Sequence, residues 1–151
     1  MTENNLQTIN CSEKYDCGLP QVSIITVVKN AETTIEETLR SVQEQTYKNI
    51  QYIVVDGNST DGTLDILYKF KNSIDLLISE NDHGLYHAMN KGIELCRGQW
   101  VIFMNSGDTF YSSDTLLDIF KNNLDGFDIV YGKTLLANKK YSQLRVVGSL
   151  V

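Results

Sequence analysis

The sequence is poor in cysteine, proline and long apolar runs, and each shortage excludes a class of protein. Three cysteines in 151 residues do not make a disulfide framework, so we expect free thiols and a cytoplasmic chain. No segment approaches the roughly 20 consecutive apolar residues of a membrane span. The first 20 residues lack the basic start and apolar core of a secretory signal. With 13 basic against 19 acidic residues and no basic run, we expect no nucleic acid as a partner.

What remains is an ordinary globular composition, 42% hydrophobic and 21% charged, in a chain long enough for one domain. Residues 1–20 are polar, aperiodic and end in the single proline, Pro20, which indicates a leader of uncertain order. We therefore expect the domain to span 21–151.

Runs of β-branched and apolar residues alternate along the chain with helical patterns. Strands are predicted at 22–28, 50–56, 74–80, 99–104 and 127–132, followed by a β-hairpin within 133–147. The continuous β-branched run VSIITVV is typical of a strand buried on both faces. This alternation predicts an α/β fold, a mostly parallel sheet with helices on both faces.

The helices have their own signals. Ile35, Leu39 and Val42 recur at helical spacing, with Thr33 and Glu36 as a capping box at the start. A second helix is predicted from Thr63 to about residue 72. A third carries apolar residues between 85 and 96 and has Gly98 as its C-cap, and a fourth lies around 116–120.

Ligands of such sheets bind beyond the carboxyl ends of the strands, where the strand order reverses. Acidic side chains follow three of the first four predicted strands, at Asp56, Asp82 and Asp108. For Asp56 the alternatives are an Asx-turn that orders the loop and a hydrogen bond to a base or ribose. For Asp108 they are a cap on the next helix and a ligand to a divalent cation; 112–114 are better placed for the cap.

Other features are less specific. His83 and His87 have a metal-ligand spacing on a helix, but the pattern has no third nearby ligand, and an exposed pair is the plainer interpretation. Lys91 could meet a phosphate or face solvent. There is no GxGxxG motif after the first strand and no GxxxxGK[ST] motif, which argues against a dinucleotide Rossmann site and a P-loop.

Taken together, residues 22–63 and 79–110 resemble the family 2 glycosyltransferases of the GT-A fold, closest to the bacterial branch that builds capsule, colanic acid and O-antigen, and the match covers about 21–132. The blocks carrying the resemblance are TVVKN, VVDGNSTDGT, NDHGLYHAMNKG and NSGD, in the family's order. The chain departs from the usual pattern at four places. Val27 and Lys29 replace a proline and a tyrosine, and His87 and Gly107 each replace an aspartate.

The resemblance implies roles for individual residues. It assigns nucleotide-sugar contacts to Thr26, Asn30, Asp56, Gly57, Asp82, Asn90, Lys91, Asn105 and Ser106, and a divalent metal, Mn²⁺ or Mg²⁺, to Asp108. The family's general base comes from an acceptor half that follows the donor-binding half. We therefore expect that base beyond Val151, and this chain to be the donor half without the acceptor half.

The implied function is transfer of a sugar, with inversion, from a UDP-, GDP- or dTDP-sugar to a saccharide or lipid-linked saccharide of a growing cell-surface polysaccharide. It implies a cytoplasmic protein with peripheral association at the inner face of the membrane. Two alternatives stay open: a nucleotide-sugar-binding fragment without catalysis, and a receiver-like signalling module. Receivers need an acidic pair after the first strand, where this chain has Lys29 and Asn30.

Overall fold

The computed structural model describes residues 22–130, 132, 134–138 and 143–147. The predicted leader, 1–20, lies outside these residues. The elements are β1 Val22–Val28, α1 Ile35–Gln43, β2 Ile50–Asp56, α2 Thr63–Lys69, β3 Leu76–Ser79, α3 Leu85–Glu94, β4 Trp100–Phe103, α4 Thr115–Phe120, β5 Thr134–Asn138 and β6 Gln143–Val147.

Four strands form one parallel sheet in the order β3-β2-β1-β4. Starting from the centre, the chain adds β2 and β3 on one side of β1 and then returns to add β4 on the other. The strand order therefore reverses between β1 and β4. The carboxyl ends of these two strands border the crevice in which parallel sheets of this kind bind ligands.

Helices cover both faces of the central strands β1 and β2, as predicted. Alternate residues of β1 point to opposite sides, so Ile24 joins a cluster with α1, α2 and α4, whereas Ile25 joins a smaller one with α3. Every residue of β1 is buried, which confirms the interpretation of VSIITVV. Among the described helices, none is long and apolar enough to cross a membrane.

The predicted hairpin is confirmed as an antiparallel pair of β5 and β6, in which Asn138 lies opposite Gln143. The predicted strand at 127–132 is wrong for 127–130, which pair with no strand among the described residues; position 131 lies outside them. Phe127 and Ile129 are exposed there. An alternating apolar pattern becomes a strand only when a neighbouring edge accepts its backbone hydrogen bonds.

Helix and strand ends also differ from the prediction. The capping box is wrong: α1 begins after Thr34, without a side-chain cap, and the Ala31 carbonyl accepts hydrogen bonds from the Thr34 and Ile35 amides. The second helix ends at Lys69, and β3 begins at Leu76.

Gly98 does not end the third helix, whose C-cap is Leu95. Gly98 instead lies against β1, where its amide donates to Ser23 Oγ at 2.9 Å. A Cβ at this position would lie 2.5 Å from the Ser23 nitrogen, so the close approach itself calls for glycine.

Candidate functional site

The loops that follow the parallel strands meet at one edge of the sheet. Backbone hydrogen bonds join them directly: the Gly57 amide donates to the Val28 carbonyl at 2.9 Å, and the Glu80 amide donates to the Asp56 carbonyl at 3.0 Å. The structure thus brings the ends of β1, β2 and β3 together, as the sequence predicted.

Asp56, at the end of β2, is fully buried. Its carboxylate accepts hydrogen bonds from the Ser59 amide at 3.1 Å, from the Ser59 hydroxyl, and from the Ser79 hydroxyl at 2.7 Å. The turn with Ser59 corresponds to the local alternative that the sequence left open. In this arrangement Asp56 orders the loop. A contact with a nucleotide base stays a prediction, and it requires the base to replace Ser59 or Ser79 as a hydrogen-bond partner of the carboxylate.

Thr26 is placed in the core rather than on the exposed edge. It is fully buried two residues before β1 ends, and its hydroxyl lies 3.0 Å from the hydroxyl of Tyr52 on the neighbouring strand. Burial raises the pKa of Tyr52 to about 12, although the hydrogen bond with Thr26 acts in the opposite direction. The structure therefore does not bring Thr26 together with the other predicted contacts.

Asn30 fastens the loop after β1 to the loop after β2. It adopts a left-handed backbone with φ of 50°, its amide donates to Ser59 Oγ at 2.8 Å, and its Oδ1 accepts from the Thr60 amide at 2.8 Å. Next to it the Ala31 amide donates to Thr63 Oγ1 at 2.8 Å. The side chain that the resemblance assigned to the nucleotide is thus already bonded to the neighbouring loop.

Two further hydrogen bonds join the same two loops at the start of α2. The Gly62 amide donates to Glu32 Oε2 at 2.7 Å, and the Glu32 amide donates to Asp61 Oδ2 at 3.2 Å. A hydrogen bond from the Thr63 side chain is the main reason why the pKa of Asp61 lies below its usual range. These contacts hold the two loops in one fixed arrangement before any ligand arrives.

Gly57 forms a close contact with the loop that follows β3. A Cβ at Gly57 would overlap Asp82 Oδ2 and would lie 3.2 Å from Lys29 Cδ. Asp82 is held by the Gly84 amide, which donates to its Oδ1 at 3.0 Å. Asp82 and Lys29 therefore both occupy the space where a side chain at position 57 would lie, and Gly57 is buried beneath them. The structure brings Gly57 and Asp82 together as predicted.

Helix α3 begins directly after this loop and carries Asn90 and Lys91. Asn90 is exposed. The Lys91 ammonium is bonded to the Glu80 carboxylate, and its side chain is 22% exposed. The sequence left open whether Lys91 faces solvent or binds a phosphate. Its side chain is mostly buried, and a phosphate would have to compete with Glu80 for the ammonium group.

The NSGD sequence forms a closed turn at the end of β4. Asp108 Oδ2 accepts from the Asn105 amide at 3.2 Å, and the Asp108 amide donates to the Asn105 carbonyl at 2.9 Å. Gly107 has a φ of 95°, a region that favours glycine, so this residue is what the turn requires. The cap position of α4 is Asp114, which leaves Asp108 exposed at the edge of the sheet.

Helix α1 fixes this turn through two threonines that the sequence reasoning missed. Thr34 Oγ1 lies 2.9 Å from Ser106 Oγ, and Thr38 Oγ1 accepts from the Gly107 amide at 2.9 Å. The available signal was the position of Thr38 on the apolar face of the helix, three residues after Ile35 and four before Val42, because a hydroxyl that is buried there needs a partner.

The turn fits a hard cation that is bound by few protein oxygens. Asp108 presents an exposed carboxylate, and Asn105 Oδ1 is buried without a hydrogen-bond partner among the described residues. The described part of the chain contains no group of three His, Cys, Asp or Glu residues arranged for a metal. Mg²⁺ and Mn²⁺ accept such a sparse set when phosphate and water oxygens complete the coordination.

The histidine pair lies at the start of α3, with both side chains exposed. The His83 and His87 rings meet edge to face, with centroids 5.1 Å apart. This agrees with the plainer interpretation of the pair. A surface groove of about 350 Å³ lies elsewhere, between α1 and residues 109–113, and none of the predicted site residues lines it.

Comparison with known proteins identifies the family of the chain. The model of the family described as Glycosyl transferase family 2 matches residues 23–147, most of the chain. The chain belongs to this family. All the residues assigned to donor and metal fall within the match, and the receiver-like alternative is not favoured.

Solved family structures share the fold. The chain is 31% identical to Staphylococcus aureus TarS 1-349 in complex with UDP-GlcNAc, with a TM-score of 0.61 over 66% of this chain and 30% of that one. It is 30% identical to the mannosyltransferase PcManGT of Pyrobaculum calidifontis in complex with GDP-Man and Mn²⁺, with a TM-score of 0.60 over 65% and 30% of the two chains. These similarities support the GT-A assignment.

A curated relative shows how much of the family's length the chain represents. The PGL/p-HBAD biosynthesis glycosyltransferase of Mycobacterium tuberculosis is 32% identical over 127 residues, which cover 81% of this chain and 50% of the relative. The chain thus spans about half the length of the relative that it matches.

Proposed function

We propose that the chain binds a nucleoside-diphosphate sugar at the carboxyl edge of its sheet and serves the transfer of that sugar to a saccharide or lipid-linked saccharide acceptor. The observation that carries the proposal is the exposed Asp108, held on a closed turn at the point where the strand order reverses. The related structures with UDP-GlcNAc and GDP-Man support a donor of this class.

In this proposal the donor lies across the loops after β1, β2 and β3. Asp82, Asn90 and Lys91 border the nucleotide, and Gly57, which is buried, lets the Asp82 side chain pack directly on the backbone of the loop after β2. Asn105 and Ser106 face the sugar diphosphate from the turn after β4. Asn30 and Asp56 lie behind these residues and hold the loops in place, since their side chains are hydrogen-bonded to Thr60 and Ser79.

Asp108 and Asn105 would hold the divalent metal, Mn²⁺ or Mg²⁺. When bound, such an ion neutralises the charge that develops on the departing diphosphate. The chain's own contribution is to keep the Asp108 carboxylate at a fixed place, because Thr34 and Thr38 anchor the turn to α1. We assign the acceptor-side general base to no residue of this chain, and we propose that it belongs to an acceptor half beyond Val151.

We further propose a bacterial cell-surface polysaccharide as the product, with the reaction in the cytoplasm at the inner face of the membrane. The low cysteine content and the unpaired Cys96 agree with a reducing compartment. The assignment to polysaccharide synthesis rests on the resemblance of residues 22–63 and 79–110 to that branch of the family.

The experiment is a calorimetric titration of the chain with UDP-, GDP- and dTDP-sugars, with and without Mn²⁺. We expect one nucleotide class to bind, and Asp108→Ala to reduce the Mn²⁺-dependent part of the affinity at least tenfold. Asp128→Ala is the matched control, because it removes an exposed carboxylate of equal charge outside the edge. If none of the donors binds in the presence of Mn²⁺, the proposal is wrong for this chain.

A further inference from the structure

The loop after β4, residues 105–114, runs along helix α1 from the carboxyl edge of the sheet towards the opposite end. Polar side chains in one row along α1 and its two ends bond this loop, at intervals of three or four positions: Thr34, Thr38, Ser41 and Gln45. The first two hold the turn that carries Asp108, and the last two hold the residues that follow it. The loop therefore has a fixed path beside the helix.

The second half of this row forms the floor of a groove. Ser41 Oγ accepts from the Phe110 amide at 2.7 Å, and Gln45 Nε2 donates to the Ser112 carbonyl at 2.8 Å. Gln45 is 1% exposed, and its Oε1 accepts from a backbone amide of α4 at 3.1 Å, so the floor is held from both sides. The groove between α1 and residues 109–113, which we name the α1–loop groove, has a volume of about 350 Å³. This volume suits a small ligand.

The α1–loop groove begins beside the turn that carries Asp108. On the loop its first residue is Thr109, next to Asp108, and on the helix it is Glu37, next to Thr38, which holds the turn. Glu37 and Glu44 are seven positions apart, so the helix side is about 10 Å long. A disaccharide has about this length. A ligand in the groove would thus extend from the turn along the helix.

The loop side of the groove presents an aromatic ring among hydroxyl groups. Phe110 is partly buried and packs against the larger cluster, whereas the next residue, Tyr111, is 85% exposed and lines the groove. The apolar face of a sugar ring can pack on such an aromatic ring, while the phenol hydroxyl stays available for a hydrogen bond. Further hydroxyls line the same side at Thr109, Ser112 and Ser113. The loop side therefore suits a polyhydroxylated ring.

The helix side of the groove is negatively charged, which disfavours an anionic ligand. Glu37 and Glu44 are exposed, and neither forms an ion pair within the described part of the chain. Arg40 lies between them, but its guanidinium is 2.7 Å from the Glu36 carboxylate, which offsets its charge. A diphosphate or a uronate would be repelled here. Neutral sugars fit, because carboxylates accept strong hydrogen bonds from hydroxyl groups.

We propose that the α1–loop groove binds a neutral segment of the acceptor saccharide, behind the sugar unit that receives the transferred sugar. The acceptor role rests on the proposed function, whereas binding of a neutral saccharide rests on the groove alone. The inference places part of acceptor recognition in this chain, although the general base is assigned beyond Val151. The position of the groove beside Asp108 allows one saccharide to reach from the metal turn along α1.

The test is an NMR titration of the nitrogen-labelled chain with three neutral disaccharides, cellobiose, maltose and N,N′-diacetylchitobiose, and with glucuronate as an anionic sugar. We expect at least one disaccharide to bind and to shift the amide signals of residues 109–113, and glucuronate to leave them unchanged. Tyr111→Ala should weaken the binding about tenfold, as the loss of a packed aromatic ring does. Glu37→Gln should weaken it about threefold, because a charged acceptor becomes a neutral one.

Tyr68→Ala is the matched control, since Tyr68 is 59% exposed on α2 and does not line the groove. It should leave disaccharide binding intact. The donor titration reports the proposed function separately, and Tyr111→Ala should not change it. If a disaccharide binds and none of the donors does, the saccharide site stands and the proposed function fails. If a donor binds and none of the disaccharides does, the inference alone fails.

Two further results would overturn the inference. The first is a bound disaccharide that leaves the signals of residues 109–113 in place and tolerates Tyr111→Ala, because its site would then lie elsewhere. The second is tighter binding of glucuronate, or of the cation spermidine, at the same residues. In that case charge, and not packing of a neutral ring on Tyr111, would be the basis of recognition.

Discussion

Ser79 and Asp56 lie opposite each other on the paired strands β3 and β2, and the Ser79 hydroxyl donates to the buried Asp56 carboxylate at 2.7 Å. The two residues are 23 positions apart in the chain, and only the parallel register brings them together. Ser59 supplies the remaining donors from the adjacent loop. A buried carboxylate is tolerated when its oxygens are satisfied in this way.

Ser79→Ala should therefore destabilise the chain by about 1–3 kcal/mol, because it leaves a buried carboxylate with one donor fewer. The measurement is urea unfolding at neutral pH. Ser113→Ala is the control, since Ser113 is exposed and should change the unfolding free energy by less than about 0.5 kcal/mol. Equal stability of the two variants would show that Ser79 does not support Asp56.

Tyr52 and Thr26 give the fold a defined response to alkaline pH. Burial raises the pKa of Tyr52 from 10.0 to about 12, so the folded state keeps the neutral phenol over a range in which the unfolded chain loses the proton. The stabilisation is complete below pH 10 and is lost as the pH rises towards 12, with a slope of up to about 1.4 kcal/mol per pH unit.

Urea unfolding at pH 9, 10 and 11 measures this slope. In Tyr52→Phe the contribution of this group should disappear, so the pH dependence should become shallower. Tyr68→Phe serves as the control, because Tyr68 is exposed and its removal should leave the slope as it is. A slope that is the same in all three proteins would contradict the assignment to Tyr52.

The central strands and the ligand edge could be predicted from the sequence because their signals are local. VSIITVV is continuous and β-branched, and polar residues follow each strand directly, so β1 and the loops at its end needed no tertiary information. Segment 127–130 has an equally good strand pattern and yet pairs with nothing among the described residues. Strand formation at a border depends on a partner that the segment itself does not encode.

The hydrogen bonds within the site join residues that are far apart in the chain, so they could not be predicted from local sequence patterns. The resemblance assigns Asn30 to the nucleotide-sugar, but its Oδ1 accepts from the Thr60 amide across the two loops. Thr38 lies within the predicted helical pattern, and nothing in that pattern indicates that its hydroxyl accepts from the Gly107 amide 69 residues away. Polar residues at a sheet edge can bond either a ligand or one another, and only the structure distinguishes these uses.

Gly107 gives a test of the turn that carries Asp108. Since its φ is 95°, Gly107→Ala should cost about 1 kcal/mol and should lower the affinity for Mn²⁺ in the presence of donor. Gly126→Ala is a matched control: it has a similar φ of 84° and open surroundings, so it should lose comparable stability without a change in metal affinity. If both variants bind Mn²⁺ equally well, the geometry of the turn does not matter for the metal.

Gly57 tests whether the close packing of Asp82 on the loop after β2 is part of the donor site. A Cβ at this position would overlap Asp82 Oδ2, so Gly57→Ala should displace that carboxylate and weaken donor binding at least tenfold. The overlap should also cost about 1–3 kcal/mol of stability, as overpacking in a tight contact does. Calorimetric donor titration and urea unfolding measure the two effects.

The double variant Gly57→Ala/Asp82→Ala separates steric strain from loss of recognition. Removing the Asp82 carboxylate makes room for the new methyl group, so the stability should return most of the way to that of Asp82→Ala alone. Donor affinity should not return, because the carboxylate that borders the nucleotide is then missing. Recovery of donor affinity in the double variant would mean that Asp82 only obstructs the site in Gly57→Ala and makes no contact of its own with the donor.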